Sequence, residues 1–433
     1  MSRKFGRRTV VKGLFGAAAG TSVSMPWIGR WGALAASEPI VLGVPTAQTA
    51  IAGVADHLDH LHGTQLAMEE INAAGGIHGR QLKLFVVDVD PLSPESCKQA
   101  IAACVDAKVH AISNAFLLVP VPAMDASAKY KCPYVECNTQ RAATEVFKAN
   151  PEKYSHIFQI DPSEVNYGWT FPIWLEHEEK QGVWKPKNRK VHIIQEQIAY
   201  CQTISKAAQA AIKERGKFEV ARVTDIQFPV QDWGPVIREM KEVDAGAIMV
   251  DHWVAAEYAA FAKQFIADPV PNSLVYMQYG PSQPEFLQLA GSAANGFCWS
   301  TVMGVYADKT GRDFRAKFEK RFPGIFGFVY TGCGYDVAMY LKRAWEAVSD
   351  PNKFKEVCDW IRVNPQRGVC GYSNMNNEYQ EAVHFPDNGH GLQTDQLEKG
   401  MAQLYAQVQN VQHKLIFPNE VAETKLQKAP WWS

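Results

Sequence analysis

A chain of 433 residues is longer than one ordinary domain and has room for two. Its 47% hydrophobic and 21% charged content excludes the disordered and fibrous classes. With 44 basic against 45 acidic residues it offers no cationic surplus for binding nucleic acid.

The N-terminus reads as an address rather than as part of the fold. Arg7 and Arg8 precede a short, weakly apolar run ending near Trp27, too short to span a bilayer. Small residues at Ala33–Ala35 supply a cleavage site. This order predicts a twin-arginine export signal over residues 1–35 and a mature protein in the periplasm. No Cys precedes Cys97, so an N-terminal lipid anchor is excluded. Six basic and no acidic residues lie in that segment, which leaves 38 basic against 45 acidic and a net charge of −7. No later stretch is long and apolar enough for a membrane span.

Beyond the signal, short apolar β-branched runs alternate with helical patterns. Strands are predicted at 39–44, 82–89, 109–113, 132–137 and 156–160, and a second series at 190–196, 219–226, 246–253, 274–280 and 296–302. Helices are predicted at 56–74, 95–107, 122–131, 164–180, 203–215, 233–243 and 254–267. Near-continuous apolar strands alternating with helices mean parallel sheets covered on both faces. Two such series make two Rossmann-like α/β lobes.

The stretch Ile71–Asp90, "INAAGGIHGRQLKLFVVDVD", tests one functional class. Its order is helix, glycines, strand. A dinucleotide site needs strand, glycines, helix, so that the phosphate faces a helix N-terminus. Gly75 and Gly76 sit at the helix C-terminus, whose dipole repels anions. They are expected to cap a helix, not to cradle a phosphate.

The nine Cys all fall after the signal, which suits an oxidising compartment. Cys97 and Cys104 lie seven apart on one helix, about 10 Å along its axis, and cannot bridge each other. Cys104 with Cys132 or Cys137, and Cys358 with Cys370, are candidate bridges. "DHLDHLHG" (Asp56–Gly63) brings Asp56, His57 and His60 to helical spacing, but two His on a helix start are more often solvated than metal ligands. There is no G-x-S-x-G, no H-E-x-x-H and no G-x-x-x-x-G-K-[ST], so no enzyme and no cofactor are expected.

"GTQLAMEEINAAGGIHGRQLKLFVVDVD" (63–90) resembles the signature of type I periplasmic substrate-binding proteins, in the Leu/Ile/Val- and amide-binding group. The similarity continues through "ADPVPNSLVYMQYG" (267–280), "AANGFCWSTV" (293–302) and "FGFVYTGCGYDVAMYLKRAWEAV" (326–348). It ends in "LYAQVQNVQHKLIFPNEVAETKL" (404–426), similar to the family's last strand pair. The resemblance implies two lobes joined by three crossovers: 38–160 plus 303–371, and 161–302 plus 372–430. It implies a ligand in the cleft, hinge closure, and an ABC permease in the inner membrane as partner.

Carried over, the resemblance points to loops after strands. Asn114, Ala115 and Phe116 follow the third strand, where amino-acid binders carry Ser or Thr. Asn138 and Thr139 follow the fourth. Tyr200 follows the first strand of the second lobe. Asp251 and Trp253, and then Gln278 and Tyr279, follow later strands; Asp251 is the nearest substitute for the acid that holds a ligand ammonium. Aromatic and amide groups suit a planar or amide-like solute better than a branched-chain amino acid, whose two charges need partners. The alternatives are a branched-chain amino acid binder and a ligand-sensing subunit of a signalling system.

Overall fold

The computed structural model describes residues 38–433. The export signal expected over residues 1–35 lies outside them. The first half of the fold alternates as the sequence pattern demands. β1 (Ile40–Thr46), α1 (Val54–Ala73), β2 (Leu82–Asp88), α2 (Pro94–Asp106), β3 (Ala111–Asn114), α3 (Val121–Ser127), β4 (Tyr134–Glu136), α4 (Arg141–Ala149) and β5 (Ile157–Gln159) follow in turn. The strands form a wholly parallel sheet in the order β2-β1-β3-β4-β5. The reversal of order between β1 and β3 opens a crevice at the carboxyl ends of the strands.

A second series begins with α5 (Val165–Gln181) and β6 (Lys190–Glu196), then α6 (Ala199–Arg215), β7 (Glu219–Ile226) and α7 (Gly234–Val243). It continues through β8 (Ala247–Asp251), α8 (Ala255–Ala267), β9 (Leu274–Gln278), α9 (Pro284–Ala290) and β10 (Cys298–Thr301). The chain then returns to the first lobe through α10 (Lys309–Arg321), α11 (Tyr330–Val348) and α12 (Phe354–Val363). Short pairs follow: β11 (Gln366–Arg367) with β12 (Tyr372–Ser373), and β13 (His384–Phe385) with β14 (Met401–Ala402). β15 (Leu404–Gln409) and β16 (Gln412–Phe417) complete a sheet ordered β16-β15-β10-β9-β8-β6-β7.

That second sheet departs from an all-parallel expectation: β15 runs antiparallel to β10, and β16 antiparallel to β15. Antiparallel edge strands on parallel sheets are common. Gln159 of β5 bridges Glu381, and Ala382 donates its N–H to the Gln159 carbonyl at 3.1 Å. The chain therefore still covers the edge of the first sheet at residues 380–382. We propose that the third crossing follows Ala382, later than the 371/372 boundary expected from sequence.

Gly75 and Gly76 end α1 as expected, at φ 100 and 76, with the Gly76 N–H returning to the Ile71 carbonyl at 2.9 Å. The Asn72 side chain then brackets the start of β2, bonding both the N–H and the carbonyl of Leu82. A second pair of glycines explains how α1 meets α11. A Cβ on Gly63 would collide with the Thr331 carbonyl, and one on Gly334 with the His60 carbonyl. The two helices approach backbone to backbone, which buries both α1 faces and takes His57 and His60 out of solvent. The expectation that these His stand solvated on a helix start is therefore corrected. All nine Cys are buried, with free thiols, and none of the bridges expected from sequence is formed.

Candidate functional site

Between the carboxyl edges of the two sheets lies a narrow cavity of about 30 Å³. That is room for one or two waters, so the lobes are closed on each other. From the first lobe come Phe116 and Leu118 after β3, Asn138 and Thr139 after β4, and Tyr330 at the start of α11. The facing wall is Ile198 and Tyr200 around the start of α6, Trp253 after β8, Tyr279 after β9, Met303 after β10, and Tyr167 on α5. Six of these side chains are aromatic, and none is Lys, Arg or His.

The rings meet one another across the seam. Phe116 stands edge-on to Trp253 at 6.3 Å between centroids, and Tyr279 edge-on to Tyr330 at 6.2 Å. Both are the offset geometries that the ring quadrupoles favour. His57 packs edge-on behind Phe116 at 4.8 Å, and burial lowers its pKa to about 4, so it is a neutral backing group. His60 bonds Ser113 at 3.0 Å and is lowered to about 3 by burial. Among the described residues no group of three or more His, Cys, Asp or Glu side chains is arranged to hold a metal ion.

The polar groups are anchored from behind. The Asn138 Oδ1 accepts the Leu117 N–H at 2.6 Å and the Asn114 amide at 3.3 Å, while its own amide donates to Glu136 at 2.8 Å. Tyr134 in turn donates to Asn114 Oδ1 at 2.5 Å. Burial raises Glu136 to about 8. Gln278 donates to the Tyr200 hydroxyl at 3.1 Å and fixes that ring from the sheet side.

Four residues expected at the ligand are thus not on the cavity wall. Asn114 and Gln278 stand one layer back, as anchors of Asn138 and Tyr200. Ala115 is buried in the first core. Asp251, expected to stand in for the ligand-binding acid, is fully buried at the end of β8 beside Cys201 and Ser205 of α6, and burial raises its pKa. Its strand ends pointing into α6 rather than into the cleft. Tyr167 and Tyr330 stand on helices that the strand-end rule does not reach; Leu118, Ile198 and Met303, each shortly after a predicted strand, were open to it.

One cluster of hydrogen bonds joins wall to wall. Asp56, in the first turn of α1, accepts from the Tyr279 hydroxyl and the Gln283 amide of the opposite lobe. Burial raises its carboxyl to about 7, against the lowering by those two hydrogen bonds. Asp59 lies next to it and is also raised by burial. Tyr279 holds φ 53, ψ −59, and Thr139 holds φ 53, both unusual for residues with a Cβ. Backbone strain of this kind persists only where the surroundings over-determine it, and it clusters at functional sites.

A roomier cavity of about 280 Å³ lies elsewhere, lined among others by Asp336, Arg343 and Arg367 on the α10–α11 side of the first lobe. It is not at the carboxyl edges of the sheets. Its cations are already engaged, Arg367 with Asp308 at 2.6 Å and Lys317 with Glu70 at 3.0 Å.

The family model described as periplasmic binding protein matches residues 39–383, and the chain belongs to that family. It is a periplasmic binding protein of the ABC-transporter type, with the type I fold. It is similar to a crystal structure described as a candidate branched-chain amino acid ABC transporter from Silicibacter pomeroyi. The identity is 28% and the TM-score 0.82, over 91% of this chain and 100% of that one. Two more distant structures share the fold. One is the branched-chain amino acid substrate-binding protein LivJ from Streptococcus pneumoniae in complex with isoleucine, at 16% identity and TM-score 0.69, over 88% of this chain and 100% of that one. The other is a solute-binding protein from R. palustris in complex with benzoate, at 14% identity and TM-score 0.67, over 90% of this chain and 100% of that one. Comparison with curated proteins gives no match. Among the described residues no helix is long and apolar enough to cross a membrane.

Proposed function

We propose that this protein captures a small aromatic or amide-type solute between its lobes and hands it to an ABC permease in the inner membrane. The observation that carries the reading is the cavity wall: six aromatic rings, two polar side chains, the anchored Asn138 and Thr139, and no cationic group. A zwitterion sealed there would leave its carboxylate without a charged partner, and an unpaired buried charge is expensive. A planar neutral group instead stacks on the rings and finds the second Asn138 N–H and the Thr139 hydroxyl. Phe116, Asn138, Thr139, Tyr200, Trp253 and Tyr279 are the contacts; Asn114 and Gln278 act from behind them. The fold recurs in a benzoate complex, which supports aromatic ligands on this scaffold.

The Arg7–Arg8 pair and the cleavage site at Ala33–Ala35 support export through the twin-arginine route. The competing reading is a branched-chain amino acid binder, as the relative from Silicibacter pomeroyi is described. A thermal-shift screen separates the two. Benzamide and related aromatic amides raise the melting temperature if the proposal holds; stabilisation by leucine or isoleucine, with none by amides or aromatic acids, refutes it.

A further inference from the structure

Cys137 and Cys333 belong to elements far apart in the chain, 196 residues from each other, yet their sulfurs lie 2.6 Å apart. Cys137 directly follows β4, and Cys333 sits in the first turn of α11. Both are buried. No thiol–thiol hydrogen bond is this short, and the separation lies well inside sulfur–sulfur contact though still longer than the roughly 2.05 Å of a bonded pair. The surroundings hold the two in register: the Tyr330 hydroxyl donates to the Cys137 carbonyl at 3.4 Å, and the Met303 sulfur flanks Cys333 at 3.6 Å.

We propose that Cys137 and Cys333 are a redox-modified pair that closes to a disulfide in the exported protein. This pairing is different from those suggested by sequence spacing, and it does not depend on what the cleft binds. The step is thiol–disulfide exchange with the disulfide of an oxidoreductase. The two thiols give up two electrons and two protons, one S–S bond forms here, and the oxidant's disulfide is reduced to a dithiol. Burial raises the Cys137 thiol to about 11 and pushes Cys333 up as well. The sealed pair is therefore unreactive, and exchange takes place while the start of α11 is undocked.

The position gives the bond a purpose. Asn138 and Thr139 follow Cys137, and Tyr330 precedes Cys333 by one helical turn; all three line the cavity. The bond ties two walls of the same lobe together and closes a very long loop, the case in which a cross-link restricts the unfolded chain most.

The test is alkylation of the protein isolated from its exported form. Unfolded without reductant and treated with N-ethylmaleimide, the chain is expected to take seven labels, and proteolysis to yield one linked peptide pair joining Cys137 to Cys333. After reduction it takes nine. Nine labels without reductant, or a link between other cysteines, overturns the proposal. The brace has its own readout. Reductant lowers the melting temperature of the native chain by several degrees and leaves Cys333→Ser unmoved; equal melting temperatures for the oxidised and reduced native chain refute the bracing role.

Discussion

Asp56 makes ligand affinity depend on pH in a direction that can be worked out. In the closed protein its carboxyl is buried against Tyr279 and Gln283 of the other lobe and titrates at about 7. When the lobes part, water reaches it and it returns toward 3.8. Where the resting protein is mostly open and the liganded form keeps Asp56 buried, ligand-driven closing takes up a proton between those values. The closed form is favoured fully at low pH, and that advantage is lost as pH rises through 7. With these two values, affinity is expected to fall about tenfold from pH 6 to pH 8, and to flatten above that. The neighbours facing Asp56 do not mask the effect. His57 and His60 are held neutral, at about 4 and 3. Asp59 and Glu285 are acids, and Asp59 shifts in the same sense. Isothermal titration at both pH values, with whichever screened compound stabilises most, reads the slope. Asp56→Asn keeps an acceptor for Tyr279 and Gln283 but cannot ionise, so its slope should be nearly flat. An affinity that rises with pH in the native protein, or an undiminished fall in Asp56→Asn, refutes the reasoning.

Phe116→Ala and Trp253→Ala each remove a ring from the cavity, worth about 1.5–3 kcal/mol of apolar burial, and should weaken binding roughly tenfold to a hundredfold by titration while circular dichroism stays native. Thr139→Gly relieves a left-handed β-branched residue, worth about 1–2 kcal/mol, so the melting temperature should hold or rise while affinity falls with the lost hydroxyl. Gly63→Ala drives a methyl into the Thr331 carbonyl where α1 meets α11, and should cost about 1–3 kcal/mol or more in urea unfolding.

The strands and the two-lobe plan were legible in the sequence because parallel strands buried on both faces read as near-continuous apolar runs, and β8 and β9 are such runs. The polarity of the Gly75–Gly76 turn was legible for the same reason: helix and strand signals on either side were strong. Tyr200 and Trp253, which stand on the cavity wall, were pointed to by the family resemblance as residues that follow strands. α6 begins at Ala199 rather than near 203, so Tyr200 stands on its first turn rather than in a loop. The Asp56 latch was hidden. Its helix is buried between the sheet and α11, which erases the amphipathic pattern that would mark an inward face, and "DHLDHLHG" reads as a polar surface. Tyr330 is brought to the cavity from far along the chain by a crossover, and no local spacing records that.

The near-filled cavity bears on how tightly any ligand can bind. About 30 Å³ of space cannot hold an aromatic amide, so the closed arrangement described here is a competitor of the liganded one rather than its template. A ligand must first separate ring pairs such as Phe116–Trp253 and Tyr279–Tyr330, and affinity is reduced by the fraction of molecules held in the self-packed state. Tyr279 joins the three effects in one residue. Its strained backbone, its hydroxyl on Asp56 and its ring against Tyr330 are all satisfied together in the closed state. Tyr279→Phe loses only the bond to Asp56, a buried charge-assisted contact worth about 1.5–3 kcal/mol. If that contact stabilises the empty closed form as much as the filled one, the substitution leaves affinity almost unchanged. It then shifts the resting protein toward the open form, which small-angle scattering registers as a larger radius of gyration without ligand. An affinity loss of the full tenfold to hundredfold, with no change in the resting radius, means instead that Tyr279 meets Asp56 only when ligand is bound.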